Sequence, residues 1–341
     1  MELNGIPSAY IDGFGEIEWY DVRKQPIELY GAFDKDNFLR IDPSIAEQLN
    51  EYVLRVYRNT SGIRARLTTN SPFFAVCCEL DEVKSDNTMP LSGVSGFDLY
   101  DDSINRYEWT VAPDYPERIF QQAMHFRNTT DIHSITLNFP LYNGVKKLLF
   151  GIKKGCEMLK GREYDKRKIV YYGSSITQGA DASRPGMCYQ SIIARRTNFD
   201  YVNLGFSSGA LGEDIMADYI GSLDMDMLVL DYDYNAPTPE YLEKTHERFF
   251  KRFREKQPNT PVILISSPSL PDEKRIAIIE STYKNALSHG DKNVYFINGR
   301  TFFFDKVGCD YTADGTHPDD AGFVAMAEII GDKIISVFEG K

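Results

Sequence analysis

The chain is predicted to be an α/β protein of two domains, an N-terminal antiparallel β-sandwich followed by a domain built on a parallel sheet. Three observations predict this. Its 341 residues exceed the length that one hydrophobic core usually serves. From about Glu16 to Ile152 the sequence runs as short β-rich segments broken by turn residues. Beyond Lys168, short apolar runs alternate with helical stretches. Residues 1–155 are assigned to the sandwich and residues 156–341 to the second domain.

In the first part the strand candidates are Tyr52–Tyr57, Ile63–Leu67, Phe73–Cys77, Gly96–Tyr100, Tyr107–Val111 and Ser134–Phe139. Their spacing suggests an antiparallel sandwich. Within Ile63-Arg-Ala-Arg-Leu67, apolar and charged residues alternate, as expected of a strand with one wet face. Lys153–Lys168 is charged and lacks periodicity, so it is read as the linker. Next come the apolar runs Lys168–Tyr172, Tyr201–Gly205, Met227–Asp231, Val262–Ser266 and Val294–Asn298, the pattern of parallel strands buried on both faces. The clearest helix spans Pro239 to Gln257. There Leu242, His246, Phe249 and Phe253 recur at helical spacing, and Thr238-Pro239-Glu240 supplies a cap, a first-turn proline and an acidic residue. The phenylalanines are assigned to the core, and His246 is given no catalytic role.

Composition narrows the function classes. Hydrophobic residues make up 42% of the chain, and no apolar run approaches the roughly 18 residues needed to span a bilayer. A formal net charge of −12 disfavours nucleic acid as a partner, because binding phosphates relies on Lys and Arg. A neutral or cationic substrate fits better, and Arg195-Arg196 reads as a solvated helix face. The opening MELNGIPSAYIDGFGEIEWYD has neither a basic leader nor an apolar stretch typical of a secretory signal. Five cysteines, two of them adjacent at Cys77-Cys78, do not resemble a disulfide framework. The expected location is therefore the reducing cytoplasm. Neither metal nor other cofactor is expected: His125, His133, His246 and His289 form no ligand motif, and no phosphate-binding glycine loop precedes a Lys-Ser/Thr pair.

The chemistry concentrates in two segments, Tyr172-Gly-Ser-Ser175-Ile-Thr-Gln-Gly179 at a strand-to-helix turn and Asp314-Gly-Thr-His317-Pro near the C-terminus. In an open parallel sheet, functional groups gather where loops leave the carboxyl ends of the strands. Ser175 follows the first strand, Ser208-Gly209 the second and Asn235 the third, and His317 is expected to open the last helix. A serine hydroxyl is a weak nucleophile near neutral pH, so acyl transfer needs an imidazole to take its proton and a third group to orient that imidazole. His317 and Asp314 fit these roles. Their separation lets a tight loop bring the carboxylate to one ring nitrogen while the other faces Ser175. Pro318 suits a first helical position, which puts His317 at the cap. Asp319 and Asp320 read as favourable first-turn charges. For the tetrahedral oxyanion, the candidate donors are the backbone N–H groups of Ser175 and Ser208 and the side-chain amide of Asn235; each donor in such sites contributes on the order of 3 kcal/mol. Gly209 replaces Ser208 as donor if the turn is shifted. Arg184, in the loop after the nucleophile turn, is a candidate for binding substrate oxygens or for holding that loop through Asp181 or Asp233.

The second half resembles the SGNH/GDSL hydrolase superfamily from roughly Lys168 to Phe338. Four blocks carry the resemblance, in order: Gly173-Ser-Ser175, Asn203-Leu-Gly-Phe-Ser-Ser208-Gly209, Asp231-Tyr-Asp-Tyr-Asn235 and Asp314-Gly-Thr-His317. The resemblance implies a flavodoxin-like three-layer α/β/α domain with Ser175 as nucleophile, Ser208 and Asn235 completing the oxyanion hole, and Asp314 orienting the base His317. Three positions depart from the usual pattern: Ser174 replaces an Asp, Ser208 replaces a Gly, and Asn235 lacks a preceding Gly. The segment Gly96-Phe-Asp-Leu-Tyr100 is similar to the GxDLY signature of jelly-roll domains that precede some SGNH hydrolases, a layout found among carbohydrate acetylesterases. By itself, Gly-x-Asp reads as a bulge or turn leading into a strand.

The resulting expectation is a two-step serine esterase that acts on an O-acetylated sugar or oligosaccharide, a small-molecule ester substrate, with no membrane partner. The rival readings are an acyltransferase, a lipid or thioester hydrolase with the same site, and a non-catalytic carbohydrate-binding protein.

Overall fold

The computed structural model describes residues 7–127 and 131–340. The first six residues, on which part of the leader reading rests, lie outside them. Two compact units divide the chain: one comprises Met1–Arg40, Arg58–Tyr164 and Ser183–Gly186, the other Ile41–Tyr57, Asp165–Ala182 and Met187–Lys341. A short segment from each half of the sequence is thus counted with the other unit.

The first unit holds two antiparallel sheets. Among the described residues one runs in the order Tyr10–Ile11, Gly15–Asp21, Val145–Lys153, Phe73–Leu80, Ile119–His125. The other runs Met158–Lys160, Arg64–Thr69, His133–Asn138, Phe97–Asp101, Arg106–Val111, with Glu28–Tyr30 also pairing with Arg64–Thr69. Period-two alternation builds the core: Phe74, Val76 and Cys78 join Ala65, Leu67, Ile135, Leu137, Phe97 and Leu99 in one buried cluster. Phe73, Ala75 and Cys77 point the other way into smaller apolar clusters with Ile17, Trp19 and Leu149, so this strand is apolar on both faces.

Three expectations for this region are corrected. Tyr52–Tyr57, read as a strand from its aromatic and β-branched residues, lies mostly in the helix Glu51–Val56. Asn50 caps that helix by accepting from the Tyr52 and Val53 amides, and its Val53 is buried in the core of the second unit. The strand at Ile63–Leu67 exists as Arg64–Thr69 but has no wet face, for Arg64 and Arg66 are only 1% and 3% exposed. Their guanidinium groups are satisfied internally. Arg66 lies 3.6 Å from the Tyr164 ring centre, bonds Thr136 Oγ1 at 2.9 Å and pairs with Asp102 at 3.5 Å, while Arg64 Nε donates to the Tyr164 hydroxyl at 2.7 Å. Finally, the stretch read as a linker contains the strand Met158–Lys160, and a further strand already begins at Asp165.

The second unit is a doubly wound α/β domain. Its parallel sheet runs Phe199–Gly205, Asp165–Gly173, Met227–Asp231, Val262–Ile265, Val294–Ile297, the order 2-1-3-4-5. All five expected strands are present, and helices supply the rest of the core. Pro239–Lys256 is capped by Thr238, which accepts from the Tyr241 amide, and it buries Leu242, Phe249, Phe250 and Phe253. His246 is buried with them. Its Nδ1 lies 2.8 Å from Thr282 Oγ1, and loss of solvent pulls the imidazole down to about 3, so it is neutral.

Strand order reverses around the first strand, where Gly173 pairs with both Gly205 and Asp231. Three loops therefore leave one sheet edge together. A Cβ on Gly205 would stand 2.2 Å from the Gln178 nitrogen and 2.5 Å from the Thr177 carbonyl carbon, so the absence of a side chain lets the turn after the first strand lie directly on the second. Gly205→Ala is expected to lower unfolding free energy by about 1–3 kcal/mol through this overlap, measured by urea denaturation against wild type.

Candidate active site

Ser175 begins a short helix, Ser175–Gln178, at the end of the first parallel strand. Ser174 caps it: its hydroxyl accepts from the Ile176 amide at 3.2 Å, and its own amide donates to the Asp231 carbonyl at 2.9 Å. Gly179 closes the turn in the left-handed region with φ of +107°. Side chains from neighbouring elements pin the turn. Gln190 and Asn203 both donate to the Thr177 carbonyl, at 2.8 and 2.7 Å. Thr177 Oγ1 donates to Asp231 Oδ2 at 3.2 Å, and Gln178 Oε1 accepts from the Ser207 amide at 2.9 Å.

His317 Nε2 lies 2.8 Å from Ser175 Oγ, and His317 Nδ1 lies 2.8 Å from Asp314 Oδ2. The other oxygen, Asp314 Oδ1, accepts from the Thr316 and His317 amides at 2.8 and 2.7 Å. Partial burial pushes the Asp314 carboxyl up, but the amide and imidazole of His317 and the amide of Thr316 outweigh it and hold the group below the usual carboxylate range. An ionised carboxylate only accepts, so Nδ1 carries the ring proton and Nε2 presents a lone pair to the serine hydroxyl.

His317 does not sit at the helix cap expected of it. The last helix is Asp320–Phe338, and Asp319 caps it by accepting from the Gly322 amide. The imidazole is held instead by its loop. Ala313 N–H donates to the His317 carbonyl at 3.0 Å, Thr312 bridges to Pro318, and the Ser269 hydroxyl bonds the Thr316 carbonyl.

The loops after the second and third strands meet this turn. Phe206 N–H donates to the Gly173 carbonyl at 2.9 Å, and Asn235 Nδ2 donates to the Phe206 carbonyl at 2.9 Å, which leaves a second amide hydrogen on Asn235 to offer. Ser208 is exposed and adopts φ of +59°, a conformation in which an L-residue is strained. At the next position, a Cβ on Gly209 would approach Val53 to 2.9 Å. Arg184 belongs to the other compact unit. Its Nε lies 3.4 Å from Asp98 Oδ2 and its guanidinium 4.3 Å from the Tyr107 ring centre, so it pairs with the Asp of Gly96-Phe-Asp-Leu-Tyr100. Asp98 is buried within its strand and also accepts from the Asn138 side chain and the Gly186 amide, at 2.9 and 2.8 Å.

Asp181 was considered in the sequence only as a partner for Arg184. It is buried, with Oδ2 3.6 Å from His317 Nδ1. Asp181, Asp314 and His317 each bring one ligand-capable atom within 4.8 Å of the others, although Nδ1 already serves Asp314.

A model of the GDSL-like Lipase/Acylhydrolase family matches residues 166–335, and one for the N-terminus of Esterase_SGNH_hydro-type proteins matches residues 17–158. The chain belongs to the SGNH/GDSL hydrolase superfamily. At that level it is an ester-cleaving hydrolase with a GxDLY domain at its N-terminal side. Among solved structures it is similar to a GDSL-like lipase candidate from Bacteroides ovatus, at 26% identity and TM-score 0.85 over 95% of this chain and 98% of that one. It is also similar to a salicylyl-acyltransferase from a tetracycline biosynthetic pathway, at 20% identity and TM-score 0.77 over 94% and 97%. An acetyl xylan esterase from the rumen bacterium Butyrivibrio proteoclasticus shares the fold at 15% identity and TM-score 0.60, over 94% and 99%. No curated protein matches the chain in sequence. No helix among the described residues is long and apolar enough to cross a membrane.

Two buried carboxyl groups, Asp231 and Asp233, stand at the end of the third parallel strand of this SGNH domain, and Asp231 bonds the Ser175 turn through Thr177. Burial, with the Asp233 charge adding to it, raises Asp231 from 3.8 to about 8 against the Thr177 hydrogen bond. Burial raises Asp233 to about 6 against the Ser267 amide and Arg275. Between 3.8 and about 8, Asp231 is protonated in the folded protein and ionised in the unfolded chain. The unfolded state then binds fewer protons, so this group makes stability fall as pH rises through that window. Asp231→Asn, which cannot ionise, is expected to be more stable than wild type at pH 7–8, with the difference closing toward pH 4; melting temperatures across a pH series check this.

Proposed function

We propose that this protein is a serine esterase that removes short acyl groups, acetyl foremost, from O-acylated sugars or oligosaccharides through an acyl-enzyme on Ser175. The observation that carries the reading is the continuous contact from Ser175 Oγ through both nitrogens of His317 to Asp314, 2.8 Å at each step. His317 Nε2 takes the hydroxyl proton as Oγ attacks the ester carbonyl carbon, and Asp314 holds the imidazolium that forms. The developing oxyanion is met by the Ser175 and Ser208 amides and Asn235 Nδ2. The imidazolium then returns its proton to the leaving alcohol. A water molecule activated by the same imidazole releases the acid, so the cycle requires no cofactor.

An acetylated carbohydrate substrate is supported by the fold shared with the acetyl xylan esterase and by a net charge of −12, which suits a neutral substrate. Five free cysteines support a reducing, cytoplasmic setting. The likeness to the salicylyl-acyltransferase favours a second reading, in which the same acyl-enzyme is delivered to an acceptor hydroxyl instead of water. Product analysis with competing acceptor sugars separates the two.

Ser175→Ala is expected to lower kcat for acetyl-ester hydrolysis by more than about 10⁴-fold; hydrolysis at the wild-type rate by the pure variant overturns the mechanism. Asn235→Ala is expected to lower kcat by about 10²–10³-fold. On a panel of acetylated sugars and acyl esters of increasing length, kcat/KM should fall steeply beyond the shortest acyl groups, and a preference for long chains overturns the substrate class.

A further inference from the structure

We propose that Asp181 is a positioning residue for the base, a second carboxylate that shares the Nδ1 side of His317 with Asp314 and stabilises the imidazolium formed when Ser175 loses its proton. This rests on the acyl-enzyme reading above. Asp181 Oδ2 lies 3.6 Å from Nδ1, too far for a good hydrogen bond but well within the range at which a carboxylate favours a nearby cation. Asp314 makes the hydrogen bond at 2.8 Å, yet its side chain is 30% exposed, whereas that of Asp181 is 4% exposed. In its ionised form Asp181 is the less screened of the two by water and salt.

The two carboxylates reach one nitrogen from different loops. Asp314 travels with the histidine, three residues away on the same turn. Asp181 travels with the nucleophile: Ala180 N–H donates to the Ser175 carbonyl at 2.9 Å and Ala182 N–H to the Gly179 carbonyl at 3.3 Å, on either side of it. Asp181 itself adopts φ of +67°, a left-handed conformation that costs an L-residue energy and that Asp tolerates better than most. The serine's turn therefore carries its own electrostatic hold on the base. Among the described residues, the acidic groups within ion-pair distance of the imidazole are Asp181 and Asp314, and Ser175 faces the other nitrogen. Tyr234, on the turn beside Thr316, is held neutral by burial.

The test measures p-nitrophenyl acetate hydrolysis and fluorophosphonate labelling of Ser175 against pH, in the wild type, Asp181→Asn, Asp181→Ser, Asp314→Asn and the Asp181→Asn/Asp314→Asn double variant. Asp181→Asn keeps the size and suits the left-handed backbone while deleting the charge. It is expected to lower kcat about tenfold, the effect of one unit of charge-state preference, with KM little changed. Removing a negative charge disfavours the imidazolium, so the acid limb of both profiles should move to lower pH. The loss should be greater in the Asp314→Asn background, where Asp181 holds the ring alone. A wild-type kcat and acid limb in Asp181→Asn overturns the inference, as does a loss confined to KM. If Asp181→Asn does not fold, judged by far-UV circular dichroism, the likewise uncharged Asp181→Ser decides: a lowered kcat with the acid limb moved to lower pH supports the role, and a wild-type profile overturns it. Labelling in wild type with no effect of Asp181 overturns this inference alone; no labelling of wild-type Ser175 overturns the nucleophile assignment and this inference with it.

Discussion

Gly173 stands opposite Gly205 on one side and Asp231 on the other, and the approach of three strand ends at this point is the constraint on which the site depends. With no side chain at Gly205, the peptide planes of Thr177 and Gln178 rest against the second strand. That contact lets Asn203 reach the Thr177 carbonyl, and it lets the loop after the second strand return a backbone bond from Phe206 to Gly173. The third loop closes on the second through Asn235. The position of one serine hydroxyl is thereby over-determined by main-chain geometry, which keeps Ser175 within hydrogen-bond reach of an imidazole from a distant part of the chain.

Charge is arranged around this rigid point in two layers. At the surface, Asp314 is kept ionised by two amides and an imidazole, and this sets the tautomer that leaves Nε2 free to accept a proton. At the end of the third strand, Asp231 is pushed toward its neutral form by burial. A neutral carboxyl there adds no full negative charge near the Ser175 hydroxyl, while its oxygen still accepts from Thr177. The same chemical group thus serves opposite ends according to how much water and how many donors surround it.

The parallel strands were legible because each is a continuous apolar run between polar breaks, and Pro239–Lys256 because its cap and periodicity agree. Ser175, Asn235, Asp314 and His317 could be singled out as candidates because each lies in a short block at a strand end or loop, and the structure brings Ser175, His317 and Asp314 into hydrogen-bond contact. What escaped depended on partners remote in sequence. Arg64 and Arg66 alternate as an exposed face would, and only Tyr164, some hundred residues on, explains their burial. Glu51–Val56 has strand-like residues, but Asn50 and the packing of Val53 make it a helix. Asp181 sits in no motif. Its place beside His317 follows from a left-handed turn that local composition does not announce.

The departures from the family's usual blocks bear on what such motifs encode. Asp at the position before the nucleophile would cap the short helix; Ser174 does the same with its hydroxyl, at 3.2 Å from the Ile176 amide. Glycine after the second strand suits a left-handed residue, and Ser208 adopts that conformation at +59° in spite of its side chain. In both cases the residue type has changed while a local feature is kept: an acceptor for an orphan helix amide in one, a left-handed φ in the other. A motif of this kind is better described by the donors and dihedral angles it supplies than by its letters. A sequence can then depart from the pattern at positions 174 and 208 and still keep the helix cap and the left-handed turn.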